Sequence, residues 1–314
     1  MKLRIGSRGS QLALWQANHI AGLLRGQGDI VEIEIIKTTG DRLQEVTFAQ
    51  VGSKGMFTKE IEEALADGCV DLAVHSLKDL PTELPEVFAL AATPPRVDPR
   101  DAFVSVNFAN LAALPLGARV GTSSQRRRAQ LKTIRPDVEA VEFRGNVDTR
   151  LRKLAEGQVD AILLASAGLD RLEKTEWVRE RMEPKEFCPA AGQGALGIET
   201  RKDDVATIAA VAFLDDAATR FAVTVERAAL AALGGGCQVP IGIYCRPWMN
   251  QSEELWDEIY GVVADPVTGT QVRVFHTVHH WEKDASTLGR ETAEMLMEVG
   301  AGPLLSASSD GGRQ

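Results

Sequence analysis

Ala64-Leu65-Ala66-Asp67-Gly68-Cys69-Val70-Asp71-Leu72-Ala73-Val74-His75-Ser76 is echoed later in the chain by Lys153-Leu154-Ala155-Glu156-Gly157-Gln158-Val159-Asp160-Ala161-Ile162-Leu163-Leu164-Ala165-Ser166. Each reads as a helix stopped by glycine, a Val-Asp pair, then an apolar strand closing on serine. The stretches upstream match as well. Arg4-Ile5-Gly6-Ser7-Arg8-Gly9-Ser10 parallels Arg119-Val120-Gly121-Thr122-Ser123-Ser124-Gln125. Both run strand, glycine, hydroxyl residues, helix. A repeat of strand-helix units predicts two similar α/β lobes, 1–98 and 99–194, with 195–214 returning to the first. Pro94, Pro95, Pro99 and Pro115 surround the junction, as a hinge requires.

The rest of the chain differs. A helix over 222–233 runs into Gly234-Gly235-Gly236. Ile241–Arg246, Glu258–Ala264 and Gln271–Val278 read as strands, and 246–258 as a variable surface loop. Leu288, Thr292, Met295 and Val299 mark an amphipathic helix over 284–299. Residues 215–308 therefore form a small α+β domain. The polar, glycine-rich end, with 309–314 as its tail, is expected to be disordered.

Composition bounds the function. The formal net charge is -9, which argues against a general nucleic-acid binder. No apolar run is long enough to span a bilayer, and the first residues carry no signal-peptide core. The four cysteines show neither C-x-x-C nor zinc spacing, which suits free thiols in a cytoplasmic chain. The charge is uneven. Between Arg119 and Lys153 ten basic residues face four acids, a local +6 that leaves -15 elsewhere. Eight of the ten are arginines, the residue that grips carboxylates and phosphates with a planar fork. A solvated basic face would look the same, but a small polyanionic ligand is the sharper reading.

Each lobe's strand-Gly-hydroxyl turn delivers backbone N–H groups at a helix N-terminus, which favours anions. Arg8 and Ser10 would serve that site in the first lobe; Thr122, Ser123, Ser124, Arg126 and Arg127 would serve it in the second. The repeat also isolates what one lobe has alone. His75-Ser76-Leu77-Lys78-Asp79 has no counterpart in Ala165-Ser166-Ala167-Gly168-Leu169. Residues gained at a strand's C-terminal end, facing a cleft, are candidates for chemistry. Lys78 and Asp79 could be an exposed ion pair, and Lys78 could form a Schiff base; Asp79 as a catalytic carboxylate is preferred. His75 reads equally as a satisfied core histidine. Gly52-Ser53-Lys54-Gly55 lacks the P-loop pattern, so it is a binding loop or lid rather than a nucleotide site. Arg144 and Arg150 flank a turn, and Gly192-Gln193-Gly194 belongs to a small-residue crossover between lobes. His276 and His280 share one face of a strand but do not make a convincing metal pair. Cys237 lies in Gly234-Gly235-Gly236-Cys237-Gln238-Val239-Pro240, a frame that forbids a regular helix and presents the thiol on a loop. A plain tight turn is the alternative.

Taken together these motifs resemble the porphobilinogen deaminase (hydroxymethylbilane synthase) family, to about residue 305. The resemblance rests on Ser7 to Ser10 with Leu14-Trp15-Gln16, Val74 to Asp79, Asp98-Pro99-Arg100-Asp101-Ala102-Phe103, Gly121 to Arg127, Arg144 to Val147, Gly192 to Gly194 and Gly235 to Pro240. It implies two periplasmic-binding-protein-like lobes, and condensation of four porphobilinogen units, with loss of ammonia, into a linear tetrapyrrole. It also implies a dipyrromethane cofactor joined to Cys237 by a thioether and Asp79 as the catalytic carboxylate. Arg8, Arg126, Arg127, Arg144 and Arg150 would then grip substrate and cofactor, with Ser10, Lys54, Lys78, Thr122, Ser123, Ser124 and Gln193 beside them. A monomer without metal, nucleic acid or membrane is expected. The competing readings are a solute-binding or ligand-sensing module, which needs neither Cys237 nor Lys78-Asp79, and a phosphate-transferring enzyme, which would be expected to show a P-loop.

Overall fold

A computed structural model of the chain describes residues 1–39, 58–235, 239–280 and 282–310. The first sheet is built from β1 (Lys2–Ser7), β2 (Ile30–Ile35), β3 (Leu72–Ser76), β4 (Phe88–Ala92) and β10 (Leu196–Arg201), in the order β2-β1-β3-β10-β4. The second holds β5 (Asp101–Val104), β6 (Arg119–Gly121), β7 (Glu139–Val141), β8 (Ala161–Ala165) and β9 (Val178–Arg181), in the order β7-β6-β8-β5-β9. The two orders are the same arrangement. In each, three parallel strands are followed by one antiparallel strand, β10 or β5. The register repeats too. Ile5 and Gly6 pair with Leu72 and Ala73, as Val120 and Gly121 pair with Ala161 and Ile162.

Helices cover both faces of the sheets, and the strands' apolar runs demand it. In the first lobe α1 (Gln11–Gly26) packs Ala17, Ile20, Ala21 and Leu24 on Leu3, Ile5, Leu72 and Val74. On the other face α2 (Lys59–Ala66) places Ile61 and Leu65 on Val70, Ala73 and Phe88. The second lobe has α3 (Gln125–Ile134) on one side, with Leu131 beside Phe103 and Val120. On the other, α4 (Val147–Ala155) and α5 (Ser166–Arg171) bring Leu151, Leu154 and Leu169 onto Val104 and Ile162. Ser10, Ser124 and Asn146 cap α1, α3 and α4, their side-chain oxygens accepting from the N–H groups of Ala13, Arg127 and Thr149.

The crossovers between the lobes run close together. Gly194 has a left-handed φ of 88°, and a Cβ there would meet the Val97 carbonyl oxygen at 2.6 Å. Only glycine allows that approach, and it packs the 189–195 crossover against the 94–99 one.

After α6 (Val205–Val211), α7 (Ala217–Ala232) leads into a third sheet, β11 (Ile241–Met249), β12 (Leu255–Ala264) and β13 (Gln271–His279), backed by α8 (Ala285–Glu298). Two expectations need correction here. Residues 246–258 are not a loop: β11 and β12 continue with Trp248 opposite Trp256, and the turn closes on the Asn250 side-chain oxygen, which accepts from Ser252 and Glu254 N–H. Cross-strand packing outweighs the polar composition there. The end is also ordered further than expected, as far as Asp310. Helix α9 (Ala301–Asp310) carries Leu304 and Leu305 against the third core, beside Ile241 and Leu296. Residues 311–314 lie outside the described residues.

Candidate functional site

A cavity of about 620 Å³ lies between the two lobes. The strand ends foretold by the repeat converge on it. From the first lobe come Arg8 and Ser10 after β1, Lys37 after β2, and Lys78 and Asp79 from a single helical turn, Leu77–Asp79, after β3. From the second come Ser123, Arg127, Arg144, Arg150 and Arg171. Among the described lining residues seven are cationic and two, Asp79 and Asp148, are acidic. The excess is large for a protein of net charge -9, so the cavity is a place for an anion of several charges.

The arginines differ in how they are held. Asp101, the first residue of β5, has no exposed surface. Its carboxylate accepts from Arg126 Nη1 at 2.7 Å, Arg127 Nε at 2.9 Å and Gln193 Nε2 at 3.0 Å. Burial would raise that carboxyl, but the two guanidinium charges outweigh it and hold it well below the usual range. Arg127 reaches the cavity. Arg126, 4% exposed, does not: its guanidinium is taken up by Asp101 and the Cys188 carbonyl, behind the wall. Gln193 and Thr122, both about 1% exposed, also sit behind it. Ser124 caps α3, while Ser123 gives its hydroxyl proton to the Phe143 carbonyl at 2.8 Å. Arg144 pairs with Glu142 at 2.6 Å. Arg150 donates to the Gly145 carbonyl, and burial, with Arg127 nearby, pulls its pKa down to about 10.

Lys78 points its amine at Gln193 Oε1, 3.4 Å away. It is half-buried and lines the cavity. Burial lowers its pKa to about 8, partly opposed by the Asp79 charge next to it. His75 does not reach the cavity. Its Nε2 lies 2.9 Å from Glu199 Oε2, both groups buried, so it is a satisfied core histidine. His276 bonds Thr292, His280 bonds Asp257, and the described residues hold no cluster fit for a metal. Lys54 and the rest of 52–57, with Cys237, lie outside the described residues.

Two features escaped the sequence reading. Arg171, on α5, is 7% exposed and lines the cavity; its Nη2 donates to the Gly194 carbonyl, and among the described residues its Nε has no partner. Its guanidinium lies 5.9 Å from the Trp15 ring centre across the lobes. A lone arginine after small residues was its only signal. The second is the junction behind the cavity. Glu226 of α7, fully buried, accepts from Arg96, from Gly192 N–H at 2.7 Å and from Cys245 N–H at 2.9 Å. It joins the third domain to both crossovers.

A model of the "porphobilinogen deaminase, dipyromethane cofactor binding domain" matches residues 3–209, and one of the "porphobilinogen deaminase, C-terminal domain" matches 220–298. The chain belongs to the porphobilinogen deaminase family. The porphobilinogen deaminase of Nitratidesulfovibrio vulgaris (strain Miyazaki F) is 49% identical over 309 residues, 97% of this chain and 96% of that protein. That of Trichlorobacter lovleyi is 49% identical over 308 residues, 97% and 96% respectively. Among solved structures the methionine-binding protein MetQ is similar with a TM-score of 0.45 and 12% identity, over 68% of this chain and 89% of its own. A periplasmic binding protein of Salmonella typhimurium with high arginine specificity gives 0.38 and 13%, over 70% and 93%. In this porphobilinogen deaminase family member no helix among the described residues is long and apolar enough to cross a membrane.

Removing the Asp101 charge tests the knot behind the cavity. Asp101→Ala leaves two buried guanidiniums without their carboxylate, and should cost about 3–5 kcal/mol of stability. Urea unfolding followed by circular dichroism reads it; a loss under 1 kcal/mol would show that the knot holds nothing.

Proposed function

We propose that the chain condenses four porphobilinogen units head to tail, releasing one ammonia each time, into linear hydroxymethylbilane on a dipyrromethane primer carried by Cys237. Among the described residues, the cavity's seven cations and one exposed carboxylate, Asp79, at its wall carry this reading. Every pyrrole in the chain bears an acetate and a propionate, so the primer and product are polyanions of the kind such a cavity accepts. The buried Arg171 Nε with no described partner is one donor such a carboxylate could take up. The bound primer supplies the free pyrrole α-carbon from which the chain grows.

The protein's own groups supply the rest. Asp79 gives a proton to the departing amine, and its carboxylate then faces the cation left on the substrate's methylene-pyrrole. It takes up the α-proton released on coupling, so the group ends each cycle as it began. Arg8, Arg127, Arg144 and Arg150 hold carboxylates, each charge-assisted bond contributing about 1.5–3 kcal/mol. Arg126, Thr122, Ser124 and Gln193 act by fixing the wall, and Ser10 and Ser123 by fixing the two turns. Lys78 holds positive charge beside Asp79, and Lys54 adds a cation from the 40–57 segment. The same reading takes the enzyme to be a cytoplasmic monomer that works without metal, nucleic acid or membrane, with lobes at 1–98 and 99–194 and a cofactor-bearing domain at 215–308.

Asp79→Ala should retain its fold and lose turnover of porphobilinogen by about a thousandfold or more, since each ~1.4 kcal/mol is tenfold in rate. Ammonia release and fold are measured together; near-normal turnover would move the chemistry away from Asp79. Lys78 sets a pH signature. With its pKa at about 8 it is cationic below that pH and neutral above it. The log of kcat/KM should fall from pH 7 to 9 with a bend near 8, and Lys78→Arg, always charged, should remove the bend. A flat wild-type profile across that range would contradict a binding role for the charged amine.

A further inference from the structure

The cavity mouth carries an exposed apolar side chain and a cation that nothing above accounts for. Ile35, the last residue of β2, is 58% exposed although it lines the cavity. A Cβ placed on Gly9 would touch it at 3.3 Å, so it lies over the Arg8-Gly9-Ser10 turn. The ladder continues past it, with Ile36 N–H donating to the Ser7 carbonyl, and Ile36 turns in toward Gly6 and the core under α2. Ile35 and Lys37 therefore take the opposite side of the strand, two residues apart. Lys37 is exposed, lines the same cavity, and among the described residues forms no ion pair. An apolar surface beside a free ammonium matches the two halves of a pyrrole acid: a flat ring and a carboxylate on a short arm.

Charge counting says when it is needed. Besides Lys37, six cations line the described cavity. Resting on the proposed reaction, a two-ring primer with one added ring brings six carboxylates. Arg127 and Arg144 are already shared with Asp101 and Glu142, so these six can match at most the six carboxylates present after the first added unit. From the second added unit onward, new carboxylates outnumber the inner cations and must find charge further out. We propose that Ile35 and Lys37 form a mouth subsite for the distal ring of the lengthening chain, Ile35 against the ring and Lys37 on a carboxylate, engaged from the second added unit on.

The test uses cofactor-loaded protein given limiting porphobilinogen, quenched, and read by intact mass as discrete steps of one pyrrole unit. In Lys37→Glu, species with two or three added units should accumulate to about fivefold their wild-type fraction, because an attraction of exposed-pair strength becomes a repulsion. Lys37→Arg should match the wild type, and so should Lys59→Glu, which reverses an exposed lysine on α2 paired with Glu63. A Lys37→Glu distribution like that of the wild type would overturn the subsite. So would accumulation confined to the first added unit, which would put Lys37 among the early cations. Wild-type protein that gains no units at all would instead bring down the proposed reaction itself.

Discussion

A carboxylate with no water around it stands behind the whole site. Asp101 could not be ionised in a dry interior alone; Arg126, Arg127 and Gln193 make it possible. Those partners come from different parts of the chain. Asp101 opens β5, the two arginines lie on α3, and Gln193 lies in the crossover. Gln193 also receives the Lys78 amine from the first lobe, and its carbonyl accepts from Arg96, which grips Glu226 of the third domain. One buried ionic knot thus fixes the position of Arg127 in the cavity and joins it to the turn bearing Asp79. Such knots add little net stability compared with apolar packing, but breaking one side of them is costly. Their return here is geometry.

The electrostatic plan follows from that geometry. Among the described residues an acidic protein gathers seven cations on one concave surface, where low-dielectric walls strengthen them and steer anions inward. The cost of burying these cations is visible in Lys78 and Arg150, both pulled below their ordinary values mainly by burial. Arg171 shows the same trend, lowered to about 10 by burial. Incoming carboxylates would offset that cost of burial, so the same arrangement that destabilises the cavity alone favours the ligand.

Much of this was legible in the residues. The repeat around Val70-Asp71 and Val159-Asp160 carried both sheets, because strand and helix periods survive duplication even when side chains change. The same repeat singled out Lys78 and Asp79 by their absence from the other copy. What it could not give was depth. Arg126 and Arg127 are neighbours of the same type and both bond Asp101, yet only Arg127 also faces the cavity; one helical step of about 100° separates those fates. Asp101 carried no sign of its role, since its partners are distant in sequence. Arg171 gave little sign of its role, because it follows Ala165-to-Leu169, the small apolar counterpart of the first lobe's Lys78-Asp79 turn. In the third domain, polar composition disguised a strand pair that Trp248 and Trp256 hold in register.

The account turns on Cys237 as the anchor of the growing chain, and the intact mass of freshly purified, active protein measures that directly. The mass should exceed that of the sequence by a two-pyrrole adduct, with peptide mapping placing it on Cys237. Cys237→Ser should lack both adduct and turnover while Cys69→Ser keeps both. Active protein at its unmodified mass, or an adduct on another residue, would contradict the account.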